Sequence, residues 1–574
     1  MLRLPKLAAG RLSVGVHRIP TNRTRWLCRH LSGGPTPTPP ARSPILAFTV
    51  GALVSGSVAF AITSSRSSGP ADELTRLSSS PANTDSGLNE QYGSMADFQK
   101  AIGELRATFP REDVVSTDAE VLEIHGTSDN DYHPGSLPSV VVFPHSTEDV
   151  VKIVQISRKY RMPIIPYSGA TSLEGHYRAP SSGSICVDLS GMDKVLEVHE
   201  ADSDLVCQPG ARWVDINAML KAKGIPLFFP LDPGPGATIG GMISTGCSGT
   251  NAVRYGTAKA EWFLNVTVVL PSGEVIKTRR RSRKSSAGFD TTKLFIGAEG
   301  TLGIITEVTI RLAPLLPTNV AVCHFPDVKK ATEAVVEIMS QGVGIQCVEL
   351  VDDLFMRSTN MYGMSLRKWP EKDSLFFKFQ GPSEASLKET ARVVRGVSEK
   401  YGGFGFTLAG SEKEANDLWA DRKNALYSGL ALVEGCKGWS TDVCVPVSRL
   451  PDLVYETKQD IAASGLVSTI VGHVGDGNFH ALILFVTDDE LARSREVVHR
   501  MVERAIAMDG TCTGEHGVGI GKREYLYNEL GAGTVELMKT IKRTIDPLNL
   551  FNPGKLYPNK QDTHAHPVAS LPSH

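Results

Sequence analysis

The sequence predicts an α+β protein with more than one domain. At 574 residues the chain is longer than one hydrophobic core usually supports, so two or more domains and a tail are expected. Between residues 134 and 315, short β-rich runs alternate with segments of helical spacing. Glycine-rich connections join these runs. Together these features indicate a mixed α and β domain rather than a helical bundle.

The secondary-structure signals in this region are local. Residues 146–162 place apolar side chains at helical spacing behind a Ser or Thr that can cap the helix. Residues 212–224 predict a second helix, closed by Gly224. Residues 263–278 hold the turn PSGE between two β-rich runs, which predicts a hairpin. Further short strands are predicted at SVVVFP, PIIPYS, SICVDLS, KVLEVH and LVCQPG.

The N-terminus differs from the rest of the chain in charge. Arginine and lysine recur from Arg3 to Arg29, whereas the first acidic residue is Asp72. A basic leader without acidic residues is typical of a mitochondrial transit peptide, here residues 1–43. The alternative is a solvated, disordered basic tail.

Residues 44–63 form an uncharged stretch. At ~1.5 Å per residue such a stretch can cross a ~30 Å hydrocarbon core as a helix, so a retained transmembrane anchor and a cleavable sorting segment both fit. Arg42 before it and Arg66 after it favour an N-terminus in the matrix and a body facing the intermembrane space. We therefore predict that the protein is located at the mitochondrial inner membrane. Residues 64–94 have the composition of a linker.

Overall composition excludes several classes of function. A formal charge of -2 gives no electrostatic reason to bind nucleic acid. The nine cysteines form no C-x-x-C pair, so neither a disulfide framework nor a thiolate zinc site is indicated.

Three glycine-rich segments each adjoin a predicted strand: residues 166–176, 230–257 and 297–306. Glycine lets backbone N–H groups approach a pyrophosphate closely, and Ser and Thr hydroxyls add donors. No segment is a G-x-G-x-x-G run opening a helix or a P-loop, so neither nucleotide-binding motif is supported.

At these segments, and through Asn552 in LFNPGK, the chain resembles the vanillyl-alcohol-oxidase-type flavoproteins over roughly residues 115–557. WSTDVCVPVSRLPDL, GHVGDGNFHALI and GTCTGEHGVGIGKR resemble most closely the mitochondrial, cytochrome-linked D-lactate dehydrogenases. The resemblance implies a vanillyl-alcohol-oxidase/PCMH-type FAD-binding domain and an α+β FAD-linked oxidase C-terminal domain that carries the substrate and metal sites. The implied divisions are an N-terminal segment 95–133, the FAD domain 134–315, the C-terminal domain 316–557 and a flexible tail 558–574.

The cofactor that the resemblance implies is FAD. His176 is the only histidine in the first glycine-rich segment, and relatives with this loop generally hold FAD without a covalent bond to the protein. The implied cofactor-binding residues are Pro166, Ser168, Gly169, Ala170, Thr171, Ser172, Gly175, His176, Pro233, Gly240, Gly241, Ser244, Thr245, Gly249, Gly256, Glu299, Gly300, Gly303, Ile304 and Asn552.

His473 and His480 bracket the turn GDGN, and Glu515 lies in GEHGVG. Two neutral imidazoles and a carboxylate suit a divalent cation with open coordination positions, such as Zn, Mn or Fe. A histidine pair of this kind can also be purely structural. The resemblance implies that these three residues bind the metal.

Two further residues are candidates for the reaction. His516 adjoins Glu515 and has a side chain of nearly neutral pKa, so we predict it as the base; the alternative is a supporting or core histidine. Arg422 matches the arginine that relatives use for the substrate carboxylate, and its planar fork suits that group. Without the resemblance, Arg422 would be interpreted as a helix-surface charge.

The predicted activity is oxidation of a D-2-hydroxy acid, D-lactate to pyruvate, with hydride transfer to flavin. Relatives acting on 2-hydroxyglutarate have polar partners for a second carboxylate where this chain has Leu426, Ser440 and Leu482. The alternatives are a D-2-hydroxyglutarate dehydrogenase, a metal-dependent hydrolase built on residues 472–516, and an anchored flavoprotein that only binds partners. No C-x-x-C-H motif supplies a haem, so an external acceptor is needed; in the intermembrane space that acceptor is cytochrome c.

Overall fold

The computed structural model of the protein describes residue 88 and residues 91–128, 133, 136–423 and 425–559. The predicted transit peptide, the segment at 44–63 and nearly all of the predicted linker and tail lie outside these residues. Within the described residues, no helix is both long enough and apolar enough to cross a membrane.

The first part of the described chain alternates strands and helices. Its strands are β1 (Val115–Ser116), β2 (Val140–Val142), β3 (Ile164–Tyr167), β4 (Ile185–Asp188), β5 (Val195–His199), β6 (Asp204–Cys207), β7 (Leu227–Phe228), β8 (Phe263–Val269), β9 (Val275–Lys277), β10 (Ile304–Arg311) and β11 (Ala313–Pro314). Its helices are α1 (Met95–Thr108), α2 (Ala119–Gly126), α3 (Thr147–Tyr160), α4 (Trp213–Ala222), α5 (Ile239–Thr245) and α6 (Ala252–Tyr255).

These strands form two main sheets. One has the order β1-β2-β4-β3, with β2 and β3 both parallel to β4. The other has the order β5-β6-β10-β8-β9 and is antiparallel throughout. Each sheet has its own apolar core, and α1 and α3 cover the first. The predicted mixed α and β region is therefore confirmed.

Local sequence signals explain the elements that were predicted correctly. Helix α3 begins after Ser146, whose side chain accepts a hydrogen bond from the Asp149 N–H, and its apolar stripe is buried against the first sheet. The hairpin of β8 and β9 turns at the predicted PSGE. Helix α4 is followed by Gly224 at φ +69°, a left-handed conformation that glycine adopts without steric cost.

The glycine-rich segment 230–257 is not one continuous loop. Helices α5 and α6 lie inside this segment. Glycine is needed in α5 for close packing, because a Cβ on Gly240 would lie 2.7 Å from the Pro209 side chain. The glycine in this helix therefore allows close packing against a neighbouring segment and does not indicate an irregular backbone.

The second part of the described chain is built on one large sheet. Its strands are β12 (Thr318–His324), β13 (Ile345–Val351), β14 (Ser374–Gln380), β15 (Phe404–Leu408), β16 (Lys437–Ser440), β17 (Val443–Cys444), β18 (Val467–Gly472) and β19 (Asn478–Phe485). Its helices are α7 (Val328–Ser340), α8 (Asp353–Tyr362), α9 (Glu384–Lys400), α10 (Glu412–Lys423), α11 (Ala425–Leu430), α12 (Leu450–Ala463), α13 (Asp488–Ala507) and α14 (Leu526–Ile545).

The large sheet is antiparallel, with the order β15-β12-β14-β13-β18-β19-β16, and β17 pairs separately with β19. Helices α7, α9, α12 and α13 bury one face. Residues of α8 and α10 pack on the other, around Phe376 and Trp369. Successive side chains of a strand point to opposite faces, so this arrangement decides which side chains of β13, β18 and β19 can meet.

The C-terminal residues of the described chain return to the first sheet. The Ile164 N–H donates to the Leu550 carbonyl at 2.8 Å, and the Asn552 N–H donates to the Ile164 carbonyl at 2.8 Å. Phe551 thereby pairs in parallel with β3 and is fully buried. Residues 550–552 thus extend the sheet of the first part, although they follow the whole of the second part in sequence.

Candidate functional site

The two histidines of GHVGDGNFH are brought together by a tight connection between β18 and β19. His473 follows the last residue of β18, and His480 lies in β19 opposite Val471. The connection requires glycine: Gly477 has φ +81°, and a Cβ there would meet the Val445 carbonyl. The imidazole centroids lie 5.5 Å apart with their planes at 83°. This is an arrangement in which both rings can face one point.

Glu515 completes the cluster from a loop far along the chain. Its Oε1 lies 3.1 Å from His473 Nε2 and 3.2 Å from His480 Nε2. One ligand atom from each residue falls within 4.8 Å of the others. Burial raises the pKa of Glu515, but the two histidines outweigh burial and hold that pKa well below its usual range.

The other ring nitrogen of each histidine is fixed by a partner. His473 Nδ1 lies 2.9 Å and 3.0 Å from the two carboxyl oxygens of Glu349. His480 Nδ1 lies 2.9 Å from the Thr441 carbonyl, which can only accept a hydrogen bond. In these contacts each Nδ1 can keep its proton, which leaves each Nε2 available as a ligand for a metal ion. These three residues fit a divalent metal ion.

Arg422 is not the surface charge that its helix alone would indicate. Its side chain is 8% exposed and donates from Nη2 to Glu349 Oε2 at 2.5 Å. Within the described part of the chain, the buried Nε of Arg422 has no hydrogen-bond partner. An unpaired buried guanidinium donor costs free energy unless a ligand accepts from it. The arrangement therefore suits an anion bound beside Arg422.

His516 is held against His480. The two rings are stacked, 4.9 Å between centroids and 9° between planes. The His516 N–H donates to Asp442 Oδ2 at 2.8 Å, as do the Glu515 N–H and the Thr513 hydroxyl. Burial lowers the pKa of His516, but the charge of Asp442, the contact with Glu174 and the charge of Glu515 together outweigh burial and raise that pKa overall.

Two carboxylates and one lysine surround this turn. Glu174 Oε1 lies 3.8 Å from His516 Nδ1 and 3.0 Å from Lys522 Nζ. Lys522 Nζ also lies 3.5 Å from Asp442 Oδ2. Burial raises the pKa of Glu174, but Lys522, His133 and His516 together outweigh burial and keep that pKa well below the ordinary range. The backbone of the 513–516 loop is thus fixed by buried charge.

The three glycine-rich segments converge. A Cβ on Gly169 would lie 2.7 Å from the Gly236 carbonyl, and the Thr238 hydroxyl donates to the Ser168 hydroxyl at 3.0 Å. The Glu299 N–H donates to the Ser244 carbonyl at 2.8 Å. A Cβ on Gly300 would lie 2.9 Å from the Pro166 ring. The first, second and third segments therefore meet along the end of β3, where close backbone approach requires glycine.

Some predicted cofactor-binding side chains are engaged elsewhere. The Ser244 and Thr245 hydroxyls donate to the carbonyls four residues earlier in α5. The carboxylate of Glu299 accepts from the Val518 and Gly519 N–H groups at 2.7 Å and 2.9 Å. These side chains already have partners within the protein, so contact with FAD would come from their backbone or from the acceptor lone pairs of the two hydroxyls.

The glycine-rich segments adjoin the loop that carries Glu515 and His516. His176 Nε2 lies 3.2 Å from Glu299 Oε1, and Asn552 Nδ2 donates to the His176 and Glu299 carbonyls at 3.0 Å and 2.7 Å. Among the described residues, neither ring nitrogen of His176 has a hydrogen-bond partner. Glu299 thus links the third glycine-rich segment to the loop that carries Glu515 and His516. The remaining predicted positions lie in the same three segments: Ala170, Thr171, Ser172, Gly175, Pro233, Gly241, Gly249, Gly256, Gly303 and Ile304.

The wall beside His480 is apolar. Leu482 lies two residues on in β19, and is therefore on the same face as His480. Ser440 pairs with Leu482 in the neighbouring strand, and Leu482 packs against Gly429 and Gly438. The side chain of Leu426 is outside the described part of the structure.

Sequence reasoning missed Glu349, Asp442, Glu174 and Lys522. Of these, Glu349 had a usable signal, because it is the only charged residue in the strand IQCVELV, whose residues are all buried. A lone carboxylate in such a strand needs a buried partner.

Two family models match the chain: an FAD binding domain over residues 138–279 and the C-terminal domain of FAD linked oxidases over residues 317–556. The chain is 45% identical over 452 residues to the mitochondrial D-lactate dehydrogenase [cytochrome] of Arabidopsis thaliana, covering 78% of each chain. It is 44% identical over 439 residues to the mitochondrial D-lactate dehydrogenase [cytochrome] 1 of Saccharomyces cerevisiae, covering 75% of this chain and 74% of that one. A D-2-hydroxyglutarate dehydrogenase of Stutzerimonas stutzeri is 30% identical over 460 residues, covering 77% of this chain and 96% of that one.

Two solved structures share the fold. 4-Ethylphenol oxidase from Gulosibacter chungangensis matches with a TM-score of 0.68 at 18% identity, covering 82% of this chain and 98% of that one. p-Cresol methylhydroxylase matches with a TM-score of 0.64 at 17% identity and the same coverage. The predicted fold class, a vanillyl-alcohol-oxidase/PCMH-type FAD-binding domain followed by an α+β oxidase domain, is confirmed.

Proposed function

The chain belongs to the FAD-linked oxidase family that includes the mitochondrial cytochrome-type D-lactate dehydrogenases, and from this membership we propose that it oxidises D-lactate to pyruvate with the help of a divalent metal ion. The FAD binding domain makes FAD its cofactor. The observation that carries the proposal is that His473, His480, Glu515 and His516 form one cluster, buried or half-buried, directly beside the glycine-rich segments.

The metal would be held by the Nε2 atoms of His473 and His480 and by Glu515. When bound, a divalent ion would polarise the 2-hydroxyl of the substrate and lower its pKa. The donor set is nitrogen and oxygen, which suits Zn, Mn or Fe. Glu515 Oε2 is buried and, in the described part of the chain, accepts no hydrogen bond, which supports a further ligand at this point.

The substrate is oriented by the protein's own charges. Arg422 would bind the C1 carboxylate through guanidinium donors that Glu349 leaves available. His516 would accept the proton of the 2-hydroxyl, because it stacks on a proposed metal ligand and its backbone is fixed by Asp442. When bound beside these residues, FAD would supply the acceptor for the hydride of C2.

The wall beside the cluster favours a short substrate. Leu482 is apolar and Ser440 carries no charge, so neither side chain can form an ion pair with a second carboxylate. This supports D-lactate over D-2-hydroxyglutarate, the substrate in the name of the more distant relative. Neither a metal-dependent hydrolase nor a non-catalytic binding module would explain why an FAD binding domain lies next to a histidine cluster.

The acceptor and the compartment follow from the relatives' names and from the N-terminal leader. Relatives described as mitochondrial and cytochrome-linked support a mitochondrial enzyme that reduces a cytochrome. We infer cytochrome c as that acceptor. The basic leader and the uncharged stretch at 44–63 support an inner-membrane location with the body in the intermembrane space.

Anaerobic mixing of the purified protein with D-lactate, L-lactate or D-2-hydroxyglutarate tests the activity directly. We expect D-lactate alone to bleach the flavin band near ~450 nm rapidly, because hydride transfer reduces the flavin. Faster bleaching by D-2-hydroxyglutarate would assign the enzyme to that substrate instead. A protein whose flavin no hydroxy acid reduces would contradict the proposal altogether.

A further inference from the structure

Glu349 contacts both Arg422 and His473. Its Oε2 accepts from Arg422 Nη2 at 2.5 Å and lies 3.0 Å from His473 Nδ1, while its Oε1 lies 2.9 Å from the same nitrogen. The Glu349 side chain is fully buried, and the side chains of Arg422 and His473 are 8% and 9% exposed. A single carboxylate therefore bridges two groups that come from α10 and from the end of β18.

A carboxylate at this position is not explained by packing. Cys347 and Val351, two residues to either side in β13, point to the same face and belong to an apolar cluster. A buried ion pair is often no more stabilising than apolar residues of similar volume. The strand would therefore fold as well with an apolar residue paired to an apolar partner on α10.

We propose that Glu349 is a positioning residue that fixes Arg422 and His473 relative to each other. The inference rests on the proposed function, in which Arg422 binds the C1 carboxylate and His473 binds the metal that contacts the 2-hydroxyl. In a 2-hydroxy acid these two groups sit on adjacent carbons, so the two anchors must keep a fixed separation. One shared carboxylate provides that separation directly.

The geometry of the bridge also sets the chemistry of each anchor. Accepting the Nδ1–H of His473 leaves Nε2 as the lone-pair donor on the metal side. Binding Nη2 of Arg422 prevents the guanidinium group from rotating, and the buried Nε has no other partner in the described residues. Glu349 thus leaves the other guanidinium donors of Arg422 available for an anion, although its carboxylate neutralises part of the Arg422 charge.

The test is Glu349→Gln in the FAD-loaded, full-length protein, with two properties measured on the same preparation. Mn²⁺ affinity is measured by titrating chelator-stripped protein and following free Mn²⁺ by electron paramagnetic resonance. The KM for D-lactate is measured at saturating Mn²⁺. We expect Mn²⁺ affinity to fall ~10–100-fold, the usual effect of losing a hydrogen-bond partner of a metal ligand. We expect KM to rise at least ~10-fold because Arg422 loses a charge-assisted bond, and kcat to change less than KM.

Two control variants separate this role from a general loss of buried charge. Asp352→Asn makes the same acid-to-amide change at a buried carboxyl group just after β13. Asp352 caps α8 and does not contact Arg422 or His473. This variant should therefore leave both properties unchanged. Arg422→Lys should raise KM and leave Mn²⁺ affinity unchanged. If Glu349→Gln loses its FAD, Glu349→Asp, which keeps the charge but is too short to bridge both groups, should show the same paired changes.

The proposal is overturned if the Glu349 variants change only one of the two properties, or neither. That result is distinct from a failure of the proposed function, which would appear as wild-type protein whose flavin D-lactate does not reduce. A double substitution adds a further criterion: for KM, Glu349→Gln and Arg422→Lys should be less than additive, because both disrupt the same bond.

Discussion

The imidazole rings of His480 and His516 lie parallel, with 4.9 Å between their centroids and 9° between their planes. His480 cannot rotate without losing its bond to the Thr441 carbonyl, and His516 is attached through its backbone to Asp442. A proposed metal ligand and the proposed base are therefore held at a fixed distance before any substrate arrives. Such preorganisation is what general-base catalysis requires.

His516→Ala should keep FAD and metal but lose reduction of the flavin by D-lactate. Removing a general base costs on the order of 10²–10⁴ in rate. The rate of anaerobic bleaching near ~450 nm checks this, with the exposed His145→Ala as a control that should behave as wild type. Near-normal reduction in His516→Ala would exclude His516 as the base.

His473→Ala and His480→Ala should each lower bound metal and activity together. Both rings point Nε2 at Glu515, and a ligand set reduced to two binds a divalent ion poorly. Elemental analysis of purified protein gives the metal content, and a chelator should inactivate the wild type until metal is restored. Active protein without a bound divalent ion would contradict the site assignment.

Arg422→Lys should raise the KM for D-lactate while FAD and metal remain bound. Lysine keeps the positive charge but cannot donate as a planar fork to Glu349 and to a carboxylate together. Losing one charge-assisted hydrogen bond worth about 1.5–3 kcal/mol corresponds to roughly 10–100-fold in KM. Steady-state kinetics measure the change, and an unaltered KM would show that the substrate carboxylate binds elsewhere.

Asp352 should make stability depend on pH. Burial raises its pKa from 3.8 to about 7, although Lys458 acts in the opposite direction. The folded state therefore binds more protons than the unfolded state between these values, and the stability that Asp352 contributes is lost as pH rises through this window. Relative to Asp352→Asn, the wild-type free energy of unfolding should fall by up to about 1.4 kcal/mol per pH unit. Urea unfolding at several pH values between 4 and 7 measures this difference. If Asp352 is ionised throughout that range, the difference in free energy of unfolding between the wild type and Asp352→Asn should not change with pH.

Reduction of cytochrome c with D-lactate should weaken as ionic strength rises, whereas anaerobic reduction of the flavin should not. Cytochrome c is strongly basic, so its approach depends on charge that salt screens, with a Debye length of about 8 Å at ~0.15 M. Stopped-flow measurements of the two half-reactions over a salt series separate them. Equal salt dependence of both would argue against electrostatic docking of cytochrome c.

The sequence predicted those parts of the fold that depend on neighbouring residues. Helix α3 and the hairpin of β8 and β9 carry their own capping and turn residues, so a short window contains the whole signal. The pairing of Phe551 with β3 has no such signal, because its partner, Ile164, lies hundreds of residues earlier. The prediction of a C-terminal domain at 316–557 therefore did not include the pairing of its last residues with the first sheet.

The site residues that could be predicted from the sequence are those whose side-chain type indicates their chemistry. His473, His480 and Glu515 were identified by residue type and motif, and the structure brings them together. Glu349, although it is the only charged residue of its buried strand, and Asp442 were missed because the sequence does not show which residue a supporting carboxylate contacts. Their importance depends on which face of a strand meets which loop, and only the folded arrangement shows this.

The return of residues 550–552 to β3 has a consequence for biosynthesis. A ribosome delivers the first sheet long before it delivers the segment that covers the β3 edge. Until then the nascent chain carries an open strand edge of the kind that pairs with other chains. Until the last residues are synthesised, the chain therefore exposes this edge, and a chaperone that shields strand edges would protect the protein most during that interval.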